Sequence, residues 1–82
     1  MIFRIYLRYP DQRVTDKTTT GDPDAARAAF RALTERTDLD GTPMLAVLNR
    51  GGRPVAHHRF DGRDSLKSWR GRTDAIDLSK AG

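Results

Sequence analysis

Hydrophobic and polar residues alternate along the first segment of the chain, from Phe3 to Tyr9. This period of two predicts a strand with one buried face. Pro10-Asp11 then predicts a turn. Residues 13–20 are rich in threonine and hold one aliphatic residue, Val14, which predicts a polar edge strand returning beside the first. Its register stays open, because Val14 can be matched to the first strand through more than one loop length.

The pattern becomes helical after Gly21. Asp22 can cap a helix, Pro23 suits the first helical position, and Asp24 complements the positive end of the helix. From there to about Thr37, apolar residues recur at helical spacing and form one stripe. The stripe consists of Ala26, Ala29, Phe30 and Leu33. The sequence therefore predicts one amphipathic helix that covers one face of a sheet.

A second, more apolar hairpin follows the turn-rich segment at residues 37–43. Residues 44–48 run into a turn at Gly51-Gly52, and residues 54–60 run back. A two-residue loop at the glycines fixes which residues face each other. The expected facing pairs are Leu48 with Val55, Ala46 with His57, Val47 with Ala56 and Leu45 with His58.

These elements predict a single small α+β domain over residues 1–82, with β-β-α-β-β order, an antiparallel sheet, one main helix on one face and a short C-terminal helix. The short helix is expected at Asp64–Trp69, and residues 79–82 are expected to form a loose tail. Trp69 either caps the core or is an exposed anchor for a partner. The predicted core is Phe3, Ile5, Leu7, Phe30, Leu33, Leu45, Val47 and Phe60.

Because one helix covers only one face of a sheet, the other face is expected to stay open. It would carry an apolar patch that is buried either in a symmetric homodimer or, in a monomer, under the C-terminal helix. The patch consists of Met44, Ala46, Leu48 and Val55.

The charge adds a second feature to this picture. The chain carries a net charge of +4, and 12 of its 15 basic residues are arginine. A GC-rich genome explains such a bias, and so does recognition of phosphate or of acidic protein. The chain has no cysteine, no apolar run that could span a bilayer and no signal-peptide pattern at its start, so we expect a cytoplasmic protein of a bacterial cell.

No pattern in the chain predicts catalysis or a metal site. His57 and His58 are adjacent in a predicted strand and point to opposite faces, so they cannot easily hold one metal ion. Residues 38–41 lack the further ligands of a calcium loop and predict a helix-ending turn. Ser65, Ser68 and Ser79 lie in peripheral segments without a nucleophile motif. We expect a protein that is not an enzyme and needs no cofactor or metal.

The candidate partner-binding residues lie on the predicted open face. They are Arg4, Tyr6 and Arg8 of the first strand with His57 and Arg59 of the last. Basic and aromatic groups on an open sheet can neutralise and stack single-stranded nucleic acid, although the signature of an RNA-recognition sheet is absent. Alternatively, Tyr6 fills space and the arginines are solvated. The exposed helix arginines Arg27 and Arg31 are the alternative surface.

Residues 3–20 resemble the opening of small, uncharacterised accessory proteins of proteobacterial plasmids and integrative conjugative elements. The similarity continues through residues 29–33, 39–41, 46–48 and 58–61. Separately, residues 59–69 are similar to the last-strand and helix segment of a small anti-CRISPR inhibitor of type I systems. Together, these resemblances imply a mobile-element protein that evades bacterial host defence.

The leading hypothesis is therefore a non-enzymatic inhibitor that binds a host CRISPR-Cas (type I) effector protein. A sequence pI near 10.1 argues against the acidic DNA mimicry that many such inhibitors use. The alternative is a nucleic-acid-binding accessory protein of plasmid or conjugative-element maintenance.

Overall fold

The computed structural model describes residues 2–61 and 73–76 of the chain. Its elements are β1 (Phe3–Arg8), β2 (Val14–Thr20), α1 (Pro23–Thr34), β3 (Leu45–Arg50), β4 (Arg53–Arg59) and a short 3-10 turn at Thr73–Ala75. The strands form one antiparallel sheet in the order β2-β1-β3-β4. Helix α1 packs against β1, β2 and β3, so the predicted α+β class with an antiparallel sheet and one main helix is confirmed.

Several predictions for the C-terminal part of the chain fall outside the described residues. They are the short helix at Asp64–Trp69, the two roles weighed for Trp69 and the loose tail at residues 79–82.

Helix α1 begins as its sequence predicts. The Asp22 carboxylate accepts a hydrogen bond from the backbone N–H of Asp24 at 3.0 Å, and Pro23 takes the first helical position. The apolar stripe then faces the sheet, because a helix with one hydrophobic side is stable only where that side is buried. Its buried members are Ala26, Phe30 and Leu33, with Ala29 partly buried beside them.

The helix ends at Thr34, three residues before the predicted end near Thr37. The Thr34 hydroxyl donates to the carbonyl of Arg31 at 3.1 Å, and the backbone N–H of Glu35 donates to the same carbonyl at 3.0 Å. Side-chain hydrogen bonds of this kind compete with the helical pattern, and turn-forming residues follow directly. The chain therefore leaves the helix early and crosses to β3 through residues 35–44.

The loop of the β3–β4 hairpin is the one that its glycines predict. Arg50 faces Arg53, so Gly51 and Gly52 are the two loop residues. Both have positive φ, 57° and 86°. A two-residue turn that matches the twist of the strands requires this conformation at both positions, and only glycine adopts it without strain.

The register beyond this loop differs from the prediction by one residue. Asn49 faces Pro54, but Leu48 faces Ala56, so Val55 is an extra residue in β4. This is a β-bulge. Proline lacks the backbone N–H that a regular ladder would use, and a bulge is one of the few places in a sheet where it fits. The observed facing pairs are Leu48 with Ala56, Ala46 with His58, Val47 with His57 and Leu45 with Arg59.

Because side chains alternate between faces, this one-residue shift exchanges the two sides of β4 relative to β3. Ala46 and Leu48 face the helix together with the preceding Met44, and all three are buried in the core. The predicted apolar patch was therefore wrong: three of its members are core residues, and Val55 packs partly buried against the core. The homodimer hypothesis loses the surface on which it was based.

Six of the eight predicted core residues are in the observed core cluster. They are Phe3, Ile5, Leu7, Phe30, Leu33 and Phe60. Leu45 and Val47 lie instead on the face turned away from α1, where Leu45 is half-buried and Val47 is buried. Ile76, which is not among the predicted core residues, is also a full member of the core, with 4% of its surface exposed.

Candidate functional site

The side of the sheet that faces away from α1, here called the open face, brings the five predicted binding residues together. In the observed register, Tyr6, Val47 and His57 form one row across β1, β3 and β4. Arg8, Leu45 and Arg59 form the next row, and Arg4 lies opposite Asn49 on the other side of the Tyr6 row. The structure thus places Arg4, Tyr6, Arg8, His57 and Arg59 on one surface. Their role in binding stays a prediction.

Tyr6 lies across the middle of the open face. Its hydroxyl accepts a hydrogen bond from Nδ2 of Asn49 at 3.2 Å. Asn49 is two residues along β3 from Val47, the direct partner of Tyr6, and its side chain is short. The tyrosine ring must therefore lean along the sheet to reach it. A ring held at this angle beside Val47 offers a flat aromatic surface at the centre of the face.

Asn49 is the residue of this site that the sequence interpretation missed. Its Oδ1 atom is buried without a hydrogen-bond partner among residues 2–61 and 73–76. Only the register shows that Asn49 reaches the Tyr6 hydroxyl, because the two residues are 43 positions apart in the chain.

The strands carry an uneven distribution of charge. A single acidic residue, Asp16, lies within the four strands, and its carboxylate pairs with Arg36 at 3.2 Å, beyond the end of α1. The basic residues in the same strands are Arg4, Arg8, Lys17, Arg50, Arg53 and Arg59. The sheet is therefore strongly positive.

The open-face arginines differ in how they are held. The guanidinium of Arg59 donates to the Asp61 carboxylate at 2.7 Å, which orients it. Within the described parts of the chain, no carboxylate forms an ion pair with Arg4 or Arg8. Two of the three arginines on this face are thus uncompensated positive charges, and a bound anion would supply the missing partner.

His57 adds a titratable group between these charges. Its partial burial lowers the pKa of the imidazole below the ordinary value, and the positive charge of Arg8 lowers it further. The side chain is consequently neutral at pH 7. It contributes a ring beside Val47 and no charge under these conditions.

The helix arginines Arg27 and Arg31, which are the alternative candidates for a partner surface, form hydrogen bonds to the C-terminal turn. Arg27 donates from Nη2 to the carbonyl of Ile76 at 2.9 Å, and Arg31 donates from Nε to the hydroxyl of Thr73 at 3.2 Å. Both therefore fasten the C-terminal turn to α1. Each arginine uses only part of its guanidinium in these bonds: Arg27 Nε has no hydrogen-bond partner among the described residues, and 48% of the Arg31 side chain is exposed. The hypothesis that they form the partner surface therefore stays a prediction.

The two histidines lie on opposite faces, as the sequence predicts. His58 is buried on the helix side, where its ring meets that of Phe60 edge-on at 4.8 Å between centroids. Across the described residues, no three His, Cys, Asp or Glu side chains are grouped closely enough to hold a metal ion. Residues 38–41 form the predicted turn, with Asp38 paired to Arg36 at 2.7 Å.

No helix in the described part of the chain is long and apolar enough to cross a membrane. Comparisons with models of protein families, with curated proteins and with solved structures find no match. The interpretation of the open face therefore depends on its own geometry and charge.

Proposed function

We propose that this protein is a non-enzymatic binding module that takes single-stranded nucleic acid on its open face. Two arginines without a carboxylate partner, Arg4 and Arg8, lie on the same surface as a tyrosine ring that leans along it. This shared placement supports the proposal most directly. Arginine neutralises backbone phosphates, and a base stacks on an aromatic ring whatever its sequence. The main helix, α1, packs on the opposite face, so the extended strand is proposed to lie along this one.

The number of arginines and the tyrosine on the open face set the expected salt dependence and affinity of strand binding. Three arginines lie on the face, so the logarithm of the affinity is expected to fall with the logarithm of salt concentration with a slope of about −2 for a single strand. Stacking on Tyr6 is worth about 1–3 kcal/mol per base. Tyr6→Ala should thus weaken binding of an eight-nucleotide single strand by about 5- to 150-fold at constant salt.

A matched pair of charge variants tests the face itself. Arg4→Glu and Arg53→Glu change the net charge equally, but only Arg4 lies on the open face. Arg53 is exposed at the start of β4 and faces Arg50, which in turn faces the core residue Phe3, so Arg53 belongs to the opposite face. Fluorescence anisotropy should show a large loss for Arg4→Glu and a small one for Arg53→Glu. Equal losses in the two variants would mean that net charge alone draws the strand, and the open-face proposal would fail.

A second candidate is the inhibitor of a host CRISPR-Cas effector that the sequence resemblance implies. The mixture of Tyr6 and arginine around the apolar Leu45 and Val47 favours it, since tyrosine and arginine are enriched at the hot spots of protein interfaces. A positive face would repel a basic DNA-binding channel and would need an acidic protein surface instead. Such an inhibitor should co-purify with a type I effector complex and bind little nucleic acid alone, whereas the leading proposal expects binding to the strand alone.

A further inference from the structure

A depression of about 310 Å³ lies at one end of the open face, where β1 and β4 end and β3 begins. It is lined by Arg8, Leu45 and Arg59, which are also a row of the open face. Residues of the turn between β1 and β2, the approach to β3 and Asp61 complete the lining. The depression is therefore continuous with the surface on which a strand is proposed to lie.

The two arginines of this depression flank Leu45 on the neighbouring strands. Strands lie about 4.8 Å apart, so their backbones are separated by roughly 10 Å. Arginine side chains are long enough to reach one anion from both sides of such a gap. Asp61 already orients Arg59 at 2.7 Å, whereas Arg8 has no carboxylate partner among the described residues. Asp61 also lines the depression, so Arg8 supplies the charge that a phosphate would meet uncompensated, and Arg59 supplies oriented donors whose charge is partly neutralised.

The other walls offer contacts of a different kind. Pro10 and Pro43 are apolar and exposed, and Met44 behind them belongs to the buried core. The ring of Tyr9 is partly exposed, with the Arg13 guanidinium over it at 4.8 Å from its centroid. Sites for small ligands combine such apolar walls with a few polar groups, and a volume near the lower end of their range fits one nucleotide unit. The depression thus matches a flat base joined to a phosphate.

Gln12 is the most unusual residue at the rim. Its φ is 76°, a left-handed conformation that favours glycine. The turn imposes it, because the N–H of Gln12 donates to the Tyr9 carbonyl at 3.0 Å and the N–H of Tyr9 to the Arg13 carbonyl at 2.8 Å. Backbone strain of this kind occurs in tight turns and at ligand sites, and Gln12 lies both in a turn and at the edge of the depression. Its amide can donate to a phosphate oxygen.

We propose that this depression is a subsite for the phosphorylated terminal nucleotide of a bound strand, an assignment that rests on the proposed nucleic-acid function. The phosphate lies between Arg8 and Arg59, the base lies against the apolar wall, and Gln12 hydrogen-bonds to the phosphate.

The test compares eight-nucleotide single strands that carry a 5′-phosphate, a 3′-phosphate or two hydroxyl ends. One of the phosphorylated strands should bind the full-length protein about fivefold more tightly than the hydroxyl-ended strand, because it adds charge-assisted hydrogen bonds at one site. Gln12→Gly should reduce this preference to less than about twofold, since one neutral donor is lost. It should leave the affinity for the hydroxyl-ended strand unchanged and raise the melting temperature, which excludes misfolding as the cause.

Equal affinity for all three strands overturns the subsite and leaves the open-face function standing. Failure of every strand to bind overturns both. A Gln12→Gly variant that keeps the full preference also contradicts the subsite.

Thymidine monophosphate separates a strand end from a free nucleotide. In an NMR titration, it should shift the amide signals of Gln12 and Leu45 while binding more weakly than the phosphorylated strand. Shifts confined to other regions overturn the assignment. Tighter binding of the mononucleotide than of the strand overturns the strand-end assignment and would point to a free nucleotide as ligand.

Discussion

At the scale of single residues, the open face depends on which neighbours each side chain meets. Tyr6 is tilted by Asn49, Arg59 is oriented by Asp61, and His57 is kept neutral by burial and by Arg8. Asn49 is 43 residues from Tyr6, and Arg8 lies on a different strand from His57, whereas Asp61 is only two residues from Arg59. The residue types suggest a basic and aromatic surface, but their angles and charge states come from these contacts.

His57 should make the folding stability depend on pH. Its pKa is lowered in the folded protein, and in the unfolded chain it is about 6.5. Between these two values the unfolded chain binds a proton that the folded protein does not, so stability is full above about pH 6.5 and falls as the pH is lowered through this window. The carboxyls of Asp11 and Asp38 have pKa values lowered from their ordinary acidic range, so they stay ionised at about pH 6.5.

Urea unfolding at pH 7.5 and pH 5.5 measures this effect. The loss of stability on acidification should be smaller in His57→Gln than in the wild type, because the variant has no imidazole at this position. His58 is present in both proteins, so its contribution cancels in the comparison. An identical loss in both would show that His57 is not responsible.

At the scale of elements, the pairing of β3 with β1 decides which side of β3 faces the helix, because Leu48 lies opposite Ile5 and Ala46 opposite Leu7 in the core. The bulge at Val55 then places Ala56 and His58 on that side of β4, where a regular hairpin would place Val55 and His57. The periodicity of β3 cannot resolve this, since residues 44–48 are all apolar. Only pairing with β1 and β4 selects the buried face.

Two aspartate variants test the observed register directly. Leu48 is fully buried against the helix, so Leu48→Asp should bury an unpaired charge and unfold the protein. Leu45 is half-buried on the open face, so Leu45→Asp should remain folded with a modest loss of stability. Circular dichroism and thermal melting of both variants would check this. The reverse outcome would contradict the observed register of β3 with β1.

At the scale of the whole molecule, the fold separates two kinds of arginine. Those on α1 and in the turns pair with carboxylates or with the C-terminal turn, whereas those at the centre of the sheet face solvent on the open side. The carboxylates of the described residues engage arginines at Asp11, Asp16, Asp24, Glu35, Asp38 and Asp61. Arg4 and Arg8 on the open face are left without a carboxylate partner among the described residues, while Arg59 of the same face pairs with Asp61.

Arg27 joins the C-terminal turn to the body of the protein. Arg27→Ala removes the hydrogen bond to the carbonyl of Ile76, a core residue, so the free energy of unfolding should fall by about 1–2 kcal/mol. For a domain of this size, that lowers the melting temperature by roughly 4–16 °C. Arg53→Ala, which removes an exposed arginine, is the control and should change the melting temperature little. Equal melting of the two variants would show that the turn is not held through Arg27.

The sequence by itself determined the α+β class, the capped helix, the glycine turn and the five basic and aromatic residues of the open face. These follow from local rules: the spacing of apolar residues, the chemistry of a cap, and the conformational freedom of glycine. The alternation in β1 is regular enough to assign its two faces without knowledge of any other strand.

The tertiary structure alone decided the faces of β3, the contact of Asn49 with Tyr6, the depression beside Arg8 and the fastening of Ile76 by Arg27. Each depends on residues that are distant in the chain. A one-residue bulge reverses the faces of β4 relative to β3 without leaving any trace in the apolar pattern, and a hydrogen bond across the sheet depends on register rather than on composition. Local patterns therefore specify the elements of this protein, whereas long-range pairing specifies the surface that they present.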